Sequence, residues 1–260
     1  DPELMQAAVA LCEGRLAVSE HLLRPYLREH PTDVAAIRMF AEVGARLGRF
    51  DDAEKLLARC LQLAPSFSAA RHNYAIVLHR QSKSTEALKH IDVLLESAPQ
   101  NPSYRFLRAT ALTRIGEYEK AIEIYRDITR EHPINARAWL SLGHACKTAG
   151  RREDSINAYE SAIAAATHFG EAYWSLANMK TYAFDDAAVA RMQAQVQRRD
   201  LSEEDRYHLH YALGKAMEDR ADFAASYSHY AEGARERRQG LSYNAAETSQ
   251  AADEHVALFG

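Results

Sequence analysis

The chain has 260 residues, 47% hydrophobic and 26% charged, with 36 acidic against 32 basic side chains and a formal net charge of -4. That length buries a core, the composition is that of an ordinary soluble globular protein, and the slightly acidic balance argues against a dedicated nucleic-acid binder, which carries a basic face. No apolar run approaches the roughly 18 residues of a membrane span, and the opening DPELMQ is neither basic nor apolar enough for a signal peptide. It also lacks an initiator methionine, so the chain reads as a piece of something longer. Cys12, Cys60 and Cys146 form no CxxC pair, which points away from a disulfide framework or zinc site and towards a reduced, cytoplasmic setting. Only seven prolines and eleven glycines punctuate the chain, and no proline follows Pro133, so long helices joined by short turns are predicted.

Taken from the N-terminus, the chain repeats. Pro31, Pro65, Pro99 and Pro133 stand at a constant interval, and Gly14, Gly48, Ser82, Gly116 and Gly150 keep the same step. Two more columns contain only small residues: Ala7, Ala41, Ala75, Ala109, Gly143 and Ala177, then Ser19, Ala53, Ala87, Ala121 and Ser155. A repeat of this length holds two helices of about fourteen residues each. Small side chains where they cross let the backbones approach. Proline ends the second helix, because it lacks an N–H and disfavours helical geometry in the residue before it. Glycine opens the turn within the unit. Units are predicted near 1–33, 34–67, 68–101, 102–135 and 136–169, with another starting at 170.

The register slips after Asn178. EAYWSLANMKTY (171–182) reads as a first helix, but an irregular insertion at 179–206 follows it. Within the insertion DLSEED reads as a helix start, with Ser202 as cap and acids in the first turn. Leu213, Gly214, Met217, Ala221, Ser226 and Tyr230 then restore the pattern as a further hairpin at 207–239. Residues 240–260, with Val256, Leu258 and Phe259, are predicted to cap the last unit or to link onward.

The period and columns resemble the tetratricopeptide repeat (TPR), with AWLSLGHAC, Ser155, Tyr159 and Ala162 in one unit and Leu112, Gly116, Ala121, Tyr125 and Pro133 in the unit before. The resemblance implies an all-α fold, a right-handed superhelix of about six hairpins with a concave face that binds proteins or peptides. Residues 171–186 and 201–238 also resemble the region just before the catalytic domain of bacterial TPR-containing sulfotransferases. That likeness implies a following domain that uses PAPS, the activated sulfate donor. The donor-binding P-R-S-G-[ST] segment of that family is not in this sequence, so no catalytic residue is carried over.

Other chemistry has bland explanations. GHACKT (143–148) lacks the glycine that precedes the lysine of a phosphate loop, and no strand leads into it. His208 and His210 point to different sides of a helix and make a poor metal pair. Cys60 and Cys146 fall on packing columns, as buried thiols rather than nucleophiles. No metal, cofactor or catalytic residue is therefore expected.

If the first helix of each unit lines the binding face, one row holds Arg38, His72, Phe106, Leu140 and Trp174, and a second Glu42, Ile76, Thr110, His144 and Asn178. A third row stacks Arg46, Arg80 and Arg114, with His79 and Lys147 beside it. Three arginines at one position could receive an acidic peptide or a terminal carboxylate. The competing reading is that cations at a helix C-terminus answer its dipole. The inward positions Arg38, Glu42, His72 and Ile76 do not match the chaperone-binding clamp of other TPR proteins, and Trp174 and Asn178 could instead face a following domain. The expectation is a non-catalytic interaction scaffold, either the recruiting region of a sulfotransferase or a stand-alone adaptor that binds a peptide or self-associates.

Overall fold

A computed structural model of the chain describes residues 1–240 and 244–259, without the side chains at 247, 251, 255, 258 and 259. The described residues form fifteen helices and no strand. The first ten are five hairpins: α1 (Pro2–Cys12) with α2 (Leu16–Glu29), α3 (Val34–Arg46) with α4 (Phe50–Leu63), α5 (Ser68–Arg80) with α6 (Ser84–Ser97), α7 (Pro102–Arg114) with α8 (Tyr118–Glu131), and α9 (Ala136–Thr148) with α10 (Arg152–Ala165). Then follow α11 (Gly170–Ala177), α12 (Asp186–Val196), α13 (Glu203–Asp219), α14 (Phe223–Gln239) and α15 (Ala245–Phe259).

Both turn types have a local cause. At the elbows Gly14, Gly48, Gly116 and Gly150 adopt φ between 74° and 87°. That conformation lets the next N–H reach back to close the first helix, as Arg49 N does to the Gly44 carbonyl at 2.8 Å and Arg151 N to Cys146 at 2.8 Å. Ser82 and Ala221 hold the same left-handed conformation without glycine's freedom. At the unit boundaries each second helix stops two residues before its proline: Glu29, Leu63, Ser97 and Glu131 precede Pro31, Pro65, Pro99 and Pro133.

A further column governs how the first helices begin. Asp33, Asn101 and Asn135 accept backbone N–H bonds from the helix they precede. The equivalent Phe67 and Phe169 cap nothing and pack against the core instead. The start is thus fixed by a satisfied amide in some units and by apolar burial in others.

Contacts divide the chain into two compact units: Asp1–His132 with His144–Arg151, and Pro133–Gly143 with Arg152–Gly260. In the first unit Ala7, Ala41, Ala75 and Ala109 are buried at the helix crossings, as are Ser19, Ala53, Ala87 and Ala121. Leu23, Leu57, Ile91 and Tyr125 fill the space beside them. Successive hairpins are tied by elbow cations that reach the preceding second helix, Arg49 to Glu20 at 2.9 Å and Lys83 to Glu54 at 2.7 Å.

In the second unit Gly143 lies against the ring of buried Tyr159, and Gly214 repeats the arrangement against Tyr230. Ser155 Oγ donates to the Gly143 carbonyl at 2.9 Å, just as Ser19 in the first unit donates to Ala7 at 3.0 Å. The irregular stretch contains α12, whose Val189, Met192 and Val196 join Tyr173, Leu176 and Leu209 in one core. Ser202 Oγ caps α13 by accepting from Asp205 N at 3.0 Å. The helix expected to run to Tyr182 ends at Ala177. The Tyr182 N–H turns back to Met179, and Phe184 then packs edge-on to Tyr182 and tilted to Tyr173. Burying Met179 and Phe184 thus ends a pattern that periodicity alone would continue. On α15 Val256 is exposed, like every side chain described there, and Leu258 and Phe259, expected with it to cap the last unit or to link onward, lie outside the described side chains.

Candidate functional site

The 34-residue step places equivalent residues of α3, α5 and α7 in rows within the first unit. Between α3 and α5 is a hollow of about 440 Å³. Its apolar wall comes from Ala41, Ala45, Leu57, Ile76 and Val77, and its polar side from Glu42, Arg46, Asn73 and Arg80. Glu42 is the hub of the polar side. It accepts from Arg38 at 3.0 Å on one side and Arg46 at 2.6 Å on the other, and Asn73 Nδ2 reaches it from α5 at 3.4 Å. Asn73 is the lining residue that periodicity missed, since it neighbours a column without belonging to it.

The three stacked arginines are not equivalent. Arg46 also donates to the Leu11 carbonyl at the end of α1, at 2.9 Å. Arg114 donates to Ser82 Oγ at the elbow after α5, at 2.9 Å. Arg46 thus meets the C-terminal end of α1, where the dipole favours a cation, and Arg114 meets a side chain of the elbow that follows α5. Arg80 is exposed, lines the hollow and makes no hydrogen bond or ion pair among the described residues. His79 beside it is pushed below the ordinary histidine range, chiefly by burial and then by Arg114 and Arg80, and its Nδ1 lies 3.1 Å from Ser84 Oγ.

The remaining candidates spread out. His72 is half-buried against the Tyr104 ring, and burial lowers its pKa. Phe106 meets Tyr125 edge-on, and the Tyr125 hydroxyl lies 3.0 Å from Thr110 Oγ1. His144 and Lys147, on the last turns of α9, are exposed in the first unit. Trp174 and Asn178 belong to the second unit, where Trp174 packs on Tyr211 of α13 and Asn178 Nδ2 donates to the Trp174 carbonyl. The structure therefore brings Arg46 and Arg80 to one hollow, places Arg38 beside it through Glu42, and leaves Trp174 and Asn178 elsewhere. Cys60 is buried, donates to the Val34 carbonyl at 3.3 Å and has its thiol pKa raised by burial, the reverse of an activated nucleophile.

Helical hairpins in fixed register, with a mixed polar and apolar hollow between successive first helices, define a repeat protein of the interaction class. Models of the tetratricopeptide repeat match residues 4–66 and 106–168, and a second model with the same description matches 45–111. The chain belongs to the tetratricopeptide-repeat family. It is 30% identical over 69 residues to small glutamine-rich tetratricopeptide repeat-containing protein 2 of Mycosarcoma maydis, a match that covers 26% of this chain and a fifth of that protein's length. Among solved structures, MamA 41-end from Desulfovibrio magneticus RS-1 aligns with a TM-score of 0.55 at 19% identity, over 64% of this chain and 92% of that one. YrrB, described as a TPR protein with an unusual peptide-binding site, aligns with a TM-score of 0.54 at 16% identity, over 64% and 86%. At these identities the structural matches establish the shared fold.

Proposed function

We propose that the first unit binds an extended protein segment carrying a carboxylate, and that Arg80 is its anchor. The observation that carries this is the difference between the three arginines: Arg46 is committed to the end of α1 and Arg114 to the elbow after α5, while Arg80 lines the hollow with its guanidinium unpaired. A guanidinium takes a carboxylate through two parallel N–H bonds, and the apolar wall beside it suits a neighbouring side chain of the segment. The description of YrrB as having a peptide-binding site is in keeping with this reading. The function is recognition, not turnover.

A fluorescence titration with acidic peptides and their amidated, uncharged counterparts tests it. The wild type should prefer the acidic set, and Arg80→Gln should weaken binding about tenfold, the equivalent of about 1.4 kcal/mol. Unchanged affinity in Arg80→Gln removes the proposal. Arg46→Gln should lower stability as well as affinity, because it also frees the Leu11 carbonyl.

The narrower reading, the recruiting arm of a sulfotransferase, draws its support from residues 171–238 alone, and none of the relatives named above is a sulfotransferase. A stop codon directly after Gly260 in the gene would remove it.

A further inference from the structure

A second group of side chains belongs to none of this and lies in the other unit. α13 and α14 form an antiparallel hairpin. They approach closely at Gly233, where an added Cβ would come within 3.0 Å of the Tyr211 ring and 3.2 Å of His210 Cβ. The close approach sets His210 of α13 against α14, with its Nδ1 3.1 Å from Nδ1 of His229. Glu232 and Glu236 follow His229 at three and seven residues, so all three occupy one face of α14. One ligand atom each from His210, Glu232 and Glu236 lies within 4.8 Å of the other two, at a hollow of about 340 Å³. Glu236 Oε2 is buried and accepts no hydrogen bond among the described residues.

We infer that His210, Glu232 and Glu236 bind a divalent transition-metal ion of the zinc class, with His229 orienting His210. One imidazole and two carboxylates are a donor set suited to such an ion and poorly suited to magnesium, which prefers oxygen and water. A second group hydrogen-bonded to the first imidazole is what fixes a ligand's tautomer and ring plane. Two cations already stand near the carboxylates. Arg206 lies 3.6 Å from Glu236 and is held by the carbonyls of Val196, Arg198 and Leu201, so it stays as that carboxylate's outer partner. Arg235 pairs with Glu232 from the exposed surface, and is the one a metal would displace. Sequence spacing hid the site because the histidine and the two acids come from different helices.

Calorimetric titration of the full chain with zinc, and separately with magnesium, tests the inference. The wild type should take up one equivalent of zinc and none of magnesium, with a raised thermal midpoint. Glu236→Gln and His210→Asn should each lose about tenfold or more in zinc affinity. His21→Asn, an exposed histidine of the other unit, should lose nothing. Far-UV circular dichroism of the metal-free variants establishes that they fold. Should either variant fail to fold, cobalt added to the wild type decides: a visible spectrum of bound cobalt supports the site, and the spectrum of free aqueous cobalt overturns it. No saturable zinc uptake by the wild type, or uptake unchanged in both folded variants, also overturns it.

Discussion

At the scale of single residues, the same type at neighbouring columns has opposite roles. Gly143 and Gly44 both lie inside first helices. A Cβ at Gly143 would sit 2.4 Å from Cε1 of fully buried Tyr159, a ring with nowhere to move, whereas a Cβ at Gly44 would meet nothing closer than 3.7 Å. Alanine gains about 1 kcal/mol over glycine in a helix, while overpacking a buried site costs about 1–3 kcal/mol. Gly143→Ala should therefore destabilise by up to about 2 kcal/mol, and Gly44→Ala should stabilise by about 0.5–1 kcal/mol. Urea denaturation of both variants checks the pair, and shifts of the same sign would contradict this account of the crossing. The column of small residues was legible in the sequence. Which of the two helix glycines tolerates a methyl was not, because that depends on whether the facing residue is an alanine, as Ala53 is for Gly44, or a tyrosine, as Tyr159 is for Gly143.

At the scale of elements, turn chemistry was the most legible part. Proline after a second helix and a left-handed residue at each elbow follow from covalent geometry alone; all five elbows of α1 to α10 obey the second rule, and α2, α4, α6 and α8 obey the first, while α10 ends at Ala165 without a proline. Pro25 departs from the rule, since it lies inside α2, where it leaves the carbonyl one turn back without its helical donor. Replacing it by alanine recovers about 3 kcal/mol of helix propensity and loses about 1 kcal/mol of restraint on the unfolded chain. Pro25→Ala should thus raise stability by about 2 kcal/mol, read from the urea midpoint, and a lowered midpoint would show that the proline shapes the packing of α2. The early end of α11 was not legible, because it comes from burial of Met179 and Phe184 against residues distant in sequence.

At the scale of the whole molecule, two sets of groups make stability depend on pH. In the first unit Glu20 is held below the ordinary carboxylate range by Arg24 and then Arg49, and Glu54 by Lys83. A depressed acid contributes stability above its unfolded pKa near 4 and loses it as pH falls through the folded value. Burial lowers His72, His79 and His90 of the same unit below about 6.5. The unfolded chain then binds more protons than the folded one as pH drops through that region, so stability declines there too. Chemical denaturation between pH 8 and pH 3 should show two declines, the first beginning near 6.5 and the second below about 4. A midpoint constant from pH 8 to pH 5 would contradict the lowered pKa values of these half-buried histidines.

The sequence by itself determined the all-helical class, the length of the unit, the elbows and the buried small columns, because each follows from the conformational limits of proline and glycine and from periodic burial. Only the tertiary structure separated Arg80 from Arg46 and Arg114, ended α11 at Ala177, and brought His210 to Glu232 and Glu236. Those outcomes rest on which carbonyl, ring or carboxylate arrives from a different helix, and spacing along one chain carries no record of that.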